Sequence, residues 1–268
     1  MTANTAPWKA PVDGLTNAAL DALVSGDIPA IHIPCFASST ECDQFVTALN
    51  SSAGREADTS PMRLVGSNFS NHHGRDKDAY FQTVSASKAN LSALTAASFD
   101  PVERLISQLQ RIWDGSVTIA NEGSPYGEYF AGCVKTRVAG SALHYDFVPD
   151  MVSNYSIAEI SAQLSWNLYL EMPTQTGETT LFNRRVDPAN DRERREPGAK
   201  ARWENLVKSS TVEGVAQYNF RAQVGELVLF NTRCPHTVTV SSIASHERRT
   251  QIGGFAGLTP RRDFILWS

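Results

Sequence analysis

Among the six histidines of this 268-residue chain, one opens a His-x-Asp tripeptide, His144-Tyr145-Asp146. On an extended segment residues i and i+2 point to the same side, so this imidazole and this carboxylate can share one metal ion. A third ligand is needed, and His236 supplies it. It follows Gly225-Glu226-Leu227-Val228-Leu229-Phe230-Asn231, a turn leading into an apolar strand, and precedes the alternating Thr237-Val238-Thr239-Val240. Two histidines and one carboxylate on one face of an octahedron leave three positions open, the arrangement used for non-haem Fe(II) oxygen chemistry. Taken singly, His236 can merely pack beside Pro235 and Asp146 can merely cap a turn. Their order, in a β-rich half of the chain, favours His144, Asp146 and His236 as metal ligands and catalytic residues.

Downstream of His236 runs Glu247-Arg248-Arg249-Thr250-Gln251-Ile252-Gly253-Gly254-Phe255, a mostly apolar, glycine-containing segment that carries two adjacent arginines. An interior guanidinium needs a partner, and its fork matches a carboxylate bidentately, so an anionic ligand is expected. Adjacent residues of a strand face opposite ways, so Arg248 and Arg249 compete for that role. In Ala162–Leu170, Ala162, Leu164, Trp166, Leu168 and Leu170 share one face, and Gln163, Ser165, Asn167 and Tyr169 share the other. A polar face inside a barrel needs partners. Asn167 and Tyr169 are expected to line a cofactor site, Gln163 and Ser165 a substrate site; the alternative is a solvent-facing side. Phe147, with Phe182 or Trp203, is expected to form an apolar wall. Arg184 and Arg185 are expected to meet an acidic group on the substrate, although charge runs are usually solvated.

These residues need a scaffold. Asp13–Val24 carries helical apolar spacing, stopped by Gly26 and Pro29. Ile28–Pro34 is short and proline-bounded, which reads as an edge strand. Ser38 and Glu41 make a capping box for a second helix. Asp100, Pro101 and Glu103 start a third, with Val102, Leu105, Ile106, Leu109 and Ile112 as its apolar stripe. Beyond about Tyr126 the period changes to two. Strands are expected at Tyr129–Val138, Ala162–Leu170, Thr179–Phe182, Val215–Phe220, Glu226–Phe230, Thr237–Val240, Arg248–Phe255 and Asp263–Leu266, with Ala139–Leu143 as a loop. About eight short strands predict a mainly β fold with supporting helices, a jelly roll or small barrel. One domain over 1–268 is expected, with helical support over 1–125 and the β core over 126–268. The charge-dense segment 183–208 exceeds an ordinary hairpin connection and reads as a solvated excursion or a lid.

With 24 Lys+Arg against 28 Asp+Glu, the net charge is −4 and the pI about 5.9. No basic excess is present for binding a phosphate backbone, so nucleic acid is not the expected partner. The four cysteines are scattered, which points to reduced thiols in the cytoplasm rather than a disulfide framework. No apolar run reaches the ~18 residues of a membrane span, so no membrane partner is expected. Assembly stays open between a monomer and a homodimer.

The ordered elements from His144-Tyr145-Asp146 through Gly225–Phe230 and His236-Thr237-Val238 to Arg248–Ile252 resemble the Fe(II)/2-oxoglutarate-dependent dioxygenases, over roughly the C-terminal half of the chain. That resemblance implies a double-stranded β-helix of the cupin-like type, iron held by His144, Asp146 and His236, and 2-oxoglutarate held by Arg249, with Arg248 the close second. It also implies consumption of O2 and release of succinate and CO2. The chain is similar to a free-standing group of small-molecule hydroxylases and halogenases. Halogenases of that group carry Gly or Ala in place of the carboxylate, so Asp146 implies hydroxylation or desaturation of a small molecule, a specialised metabolite or amino acid derivative. Two rivals stay open: a halogenase on the same scaffold, and a cupin-like metal protein of another reaction class.

Overall fold

Period-two patterning builds two sheets that close on each other. The computed structural model describes residues 7–52, 62–69, 77–137, 140–192, 205–239 and 247–268. His72, His73, Val138, Ala139, Trp203, Val240, His246 and the middle of the 183–208 segment lie outside the described residues. The strands are β1 (Val12–Asp13), β2 (Ala30–Ile33), β3 (Met62–Val65), β4 (Val117–Ile119), β5 (Cys133–Arg137), β6 (Ser141–His144) and β7 (Ala162–Glu171). They continue as β8 (Thr179–Phe182), β9 (Gln217–Phe220), β10 (Leu227–Asn231), β11 (His236–Val238), β12 (Arg249–Leu258) and β13 (Phe264–Trp267).

The major sheet has nine strands along the path β1-β2-β10-β7-β12-β13-β4, with β3 and β5 branching from β12. The ten-residue β12 makes the branch possible. Its first half pairs with β5 and its second half with β13, while its other edge follows β7. The minor sheet runs β6-β11-β8-β9. Tyr169, Val228 and Phe230 of the major sheet pack with Leu181 and Phe220 of the minor one, so the two sheets lie face to face as a jelly roll.

Four helices cover the outside of the major sheet: α1 (Asn17–Ser25), α2 (Ser39–Ser51), α3 (Lys77–Thr95) and α4 (Pro101–Ile112). Both α1 and α2 pack on β7. Leu20, Leu23, Phe45 and Leu49 thereby join Leu164, Trp166 and Leu168 in the main core. Strand β7 is buried on both faces, apolar toward the helices and polar toward the interior. The capping box of Ser38 and Glu41 and the Asp100 cap form as expected, and α1 starts later than Asp13 because Thr16 is its cap.

Several elements differ from expectation. The segment read as an edge strand, β2, lies between β10 and the two-residue β1. The residues before Gly132 do not extend β5, and Ala139–Leu143 is not all loop: Ser141–His144 forms β6, which brings His144 back beside β11. Helix α3 and strands β1, β3 and β4 carry no signal strong enough to be expected. Gly225, at φ 84°, turns the chain into β10, where a Cβ would sit 2.2 Å from the Ala37 carbonyl oxygen.

Candidate metal centre and active-site cavity

Two strand ends and the loop residue just past one of them converge on one point inside the jelly roll. His144 closes β6, Asp146 follows it, and His236 opens β11, with His236 and His144 directly paired across the two strands. The Nε2 atoms of His144 and His236 lie 3.6 and 3.5 Å from Oδ2 of Asp146, and the imidazole centroids are 4.1 Å apart. All three ligand atoms fall within 4.8 Å of one another, a spacing that admits one metal ion.

The surrounding hydrogen bonds aim these atoms. Nδ1 of His144 lies 2.7 Å from the Ala142 carbonyl oxygen, and Nδ1 of His236 lies 3.0 Å from that of Cys234. A proton on Nδ1 satisfies each carbonyl and leaves the Nε2 lone pair for a metal. The Asp146 amide donates to the Thr232 carbonyl (2.9 Å), which ties the motif to the end of β10. The Asn205 side chain donates to Asp146 Oδ1 (2.7 Å), and Phe230 packs edge-on against His236 at 5.1 Å. Burial, with the neighbouring His236, pushes the His144 pKa down to about 4. Burial opposes the charged form of Asp146, yet the two imidazoles beside it prevail and hold its carboxyl well below the usual range. A neutral imidazole and an ionised carboxylate are the forms that bind a metal.

The centre opens into a cavity of about 310 Å³ lined by both sheets. Ser165, Asn167 and Tyr169 of β7 and Arg249 and Gln251 of β12 face into it. Gln251 donates to Asn167 Oδ1 (2.8 Å), and its own Oε1 is buried without a partner among the described residues. Arg249 donates to the Tyr169 hydroxyl (3.2 Å), and its guanidinium lies 5.0 Å from that ring. Phe230, Phe255, Leu206 and Val238 supply apolar wall. This chemistry suits the group that the donor set implies: nitrogen and oxygen ligands for Fe(II), and an interior guanidinium for a carboxylate.

Of the two arginines, Arg249 lies in the cavity lining and Arg248 does not. Three further expectations are corrected. Gln163 is fully buried below the cavity, where Oε1 accepts from the Val148 amide (2.9 Å). Phe147 is covered by the Arg233 guanidinium at 4.3 Å. Arg184 is held by Asp191 (2.8 Å) and the Thr211 carbonyl (3.1 Å), inside the charge-dense segment instead of the cavity. Arg185 likewise turns outward, to the Ser25 carbonyl.

Lys135, Arg137, Gln251, Asn205 and Asn68 contact the site or its ligands in addition to the residues expected from sequence. Lys135 and Arg137 were legible in principle, since Lys-x-Arg on a strand puts both on one face. Nothing local marks Asn205. It belongs to the returning arm of the charge-dense segment, where Leu206 bridges His144 and Val207 bridges Arg192. Arg192, on the outgoing arm, donates to the Tyr145 hydroxyl (2.8 Å), so both described arms of that segment clamp the His-x-Asp motif.

A jelly roll with two imidazoles and a carboxylate aimed at one interior point, and an arginine on its late strand, defines the Fe(II)/2-oxoglutarate oxygenase superfamily. Within it, the chain belongs to the family described as carrier-protein-independent halogenase WelO5, whose model matches residues 12–268. Among curated proteins it is similar to an L-gamma-glutamyl-L-propargylglycine hydroxylase of Streptantibioticus cattleyicolor, 23% identical over 258 residues, covering 93% of this chain and 91% of that one. It is also similar to the leucinostatins biosynthesis cluster protein S of Purpureocillium lilacinum, 25% identical over 220 residues, covering 78% and 86%. Among solved structures, an N-substituted L-amino acid dioxygenase of Burkholderia ambifaria in complex with alpha-KG shares the fold, with TM-score 0.59 and 16% identity over 94% of this chain and 90% of that one.

Proposed function

We propose that this chain is an Fe(II)- and 2-oxoglutarate-dependent oxygenase that hydroxylates or desaturates an unactivated C–H bond of a small molecule, an amino acid derivative or specialised metabolite, with release of succinate and CO2. The observation that carries this reading is the convergence of His144, Asp146 and His236 on a cavity that also holds Arg249. Bound Fe(II), with 2-oxoglutarate and O2, supplies the oxidising power to break the C–H bond.

The protein's part is placement. His144 and His236 would hold the metal through Nε2 and Asp146 through Oδ2, three protein ligands that would leave positions for the co-substrate and O2. Arg249, steadied by Tyr169, would hold the distal carboxylate of 2-oxoglutarate, with the amides of Asn167 and Gln251 in the same cavity lining. Phe230, Phe255 and Leu206 keep water from the reacting centre. Free thiols at all four cysteines support a cytoplasmic setting. Among the described residues no helix is long and apolar enough to cross a membrane.

The test begins without oxygen. Fe(II) and 2-oxoglutarate together give a weak visible charge-transfer band in the wild type, and His144→Ala and Asp146→Ala lose it. A succinate-release screen across amino acid derivatives, terpenoids, alkaloids and nucleosides then finds the substrate. Full activity of both variants with iron would sink the assignment. The family match favours halogenation as a second reading. Asp146 opposes it, because its carboxylate fills the position a halide would take. Mass spectrometry of the product with chloride present decides: a gain of one oxygen supports hydroxylation, and a chlorine isotope pattern supports the alternative.

A further inference from the structure

Arg137 on β5 lies directly opposite Arg249 on β12, and Lys135 lies opposite Gln251 one step along the same pair of strands. Period two sends Lys135 and Arg137 to the same face, and both line the cavity together with Arg249. Like charges opposite each other across a sheet are destabilising, and a half-buried cation without a partner costs more still. Among the described residues neither Lys135 nor Arg137 has a carboxylate within ion-pair distance or any hydrogen-bond acceptor, and Arg137 Nε is buried with no partner. Burial holds both groups below their ordinary pKa values, in keeping with that isolation. Among the described residues Asp146 is the acid that lines the cavity, and its two oxygens are already engaged by the histidines and Asn205.

The charges do not balance even when the site is loaded. Counted over the described residues, a divalent metal and three basic side chains outweigh Asp146 and the dianion of 2-oxoglutarate, which leaves a surplus of positive charge. The surplus sits on β5, on the strand beside the single arginine that 2-oxoglutarate needs. We infer that Lys135 and Arg137 form a recognition site for an acidic group on the substrate, which is therefore a small carboxylic acid. The inference rests on the reading of the site as an iron and 2-oxoglutarate centre. The guanidinium fork and the cavity volume favour a carboxylate over a bulky phosphate ester. Arg184, the residue that sequence reasoning offered for this task, is engaged elsewhere.

The experiment compares wild type with Lys135→Met, Arg137→Gln and Arg249→Gln. In the anaerobic Fe(II) titration, the first two variants bind 2-oxoglutarate within about tenfold of wild type and Arg249→Gln falls well below them. Loss of the band in Arg137→Gln to the same extent as in Arg249→Gln would assign Arg137 to 2-oxoglutarate and overturn the inference, with the proposed function intact. Absence of the band in wild type overturns the proposed function itself. In succinate-release assays on N-acetyl amino acids and their carboxamides, the acids are turned over and the amides are not, and KM for the acids rises about tenfold or more in Lys135→Met and Arg137→Gln with a smaller change in kcat. Equal turnover of amides, or an unchanged KM, overturns it. A readout independent of any substrate is the melting temperature of the ligand-free protein. Removing one of two opposed cations raises it in Arg137→Gln, and a lowered value would show a guanidinium with a structural partner and overturn the inference.

Discussion

Asn205 holds the metal-facing carboxylate by its far oxygen: its side-chain amide donates to Asp146 Oδ1 at 2.7 Å, which leaves Oδ2 facing both histidine Nε2 atoms. Its backbone carbonyl also accepts from the Tyr145 amide (3.1 Å), so one residue fixes both the chain and the side chain of the motif. Groups that orient a metal ligand typically change metal affinity about 10–100-fold when removed. Asn205→Ala is expected to lose affinity for Fe(II) or Co(II) in that range and to keep its circular dichroism spectrum. Unchanged metal titration would show that the carboxylate orients itself.

Arg249 opens β12 and lines the cavity, whereas Arg248, one residue before the strand, does not, and that difference has a large consequence. Arg249→Gln removes the guanidinium that lies beside Tyr169 in the cavity. Loss of a charge-assisted bidentate contact weakens 2-oxoglutarate binding by about 10–100-fold. Arg248 lies outside the cavity lining, and Arg248→Ala is expected to leave that affinity within about threefold. Titration of 2-oxoglutarate against each variant, with Ni(II) as an oxygen-inert metal, separates the two.

The polar face of β7 was legible because it rests on strict alternation in a ten-residue strand, and the metal set was legible from the His-x-Asp tripeptide and from the place of His236 after the apolar β10. The capped helices α2 and α4 were legible because caps are local chemistry: Ser38 with Glu41, and Asp100 with Pro101. Helix α3 gives no comparable signal because its surface is rich in Ser, Ala and Lys, and its few buried residues, among them Tyr80, Val84 and Leu91, make a weak stripe. The strands β1, β3 and β4 are two to four residues long and exist through their tertiary pairing. Choosing between Arg184 and the Lys135–Arg137 pair as interior cations depends on sheet register and on the position of Asp191. Neither is written in local composition. Asn205 reaches Asp146 from 59 residues away, a contact that only the folded path of the intervening segment creates.

Gly253 sets how closely β12 can approach β7. A Cβ there would lie 2.5 Å from the Trp166 carbonyl oxygen and 2.7 Å from Asn167 Oδ1. The carbonyl belongs to the sheet ladder and cannot move aside, so the cost falls on the strand pairing and on the bond between Gln251 and Asn167. Gly253→Ala is expected to destabilise the protein by about 1–3 kcal/mol and to weaken 2-oxoglutarate binding. Urea denaturation measures the first effect and anaerobic titration the second; wild-type values in both would mean that the strands can separate without loss.

Thiol reactivity should divide one to three. Cys35 is exposed, whereas Cys42, Cys133 and Cys234 are buried and their pKa values are pushed by burial up to about 11. Since the thiolate is the reactive form, native protein at pH 8 is expected to release a single rapid equivalent from a chromogenic disulfide, with the remaining thiols reacting on unfolding. Cys35→Ser should abolish the rapid phase. A rapid phase that survives the substitution would place a second thiol within reach of solvent.

Glu41 links a helix cap to a second helix, and its protonation carries a defined signature. It accepts from Arg104 Nη2 (2.5 Å) and Nη1 (3.2 Å) and from the Ser38 amide (2.8 Å). The Arg104 guanidinium, foremost, and the Ser38 amide hold its carboxyl down at about 2, against an ordinary value of 4.5. A depressed folded-state pKa means stability that is fully present above the ordinary value and lost as pH falls through the folded one. The pair is partly exposed, so solvent screening reduces its worth, and Glu41→Gln should cost about 1 kcal/mol at pH 7. The gap between wild type and variant should hold from pH 7 to about 5, narrow below 4.5 and close near pH 2, because the protonated carboxyl of the wild type and the neutral amide of the variant then present the same charge to Arg104. Urea melts of both proteins across this range test the assignment, and a gap that stayed constant down to pH 2 would attribute the cost to packing rather than to the ionised carboxylate.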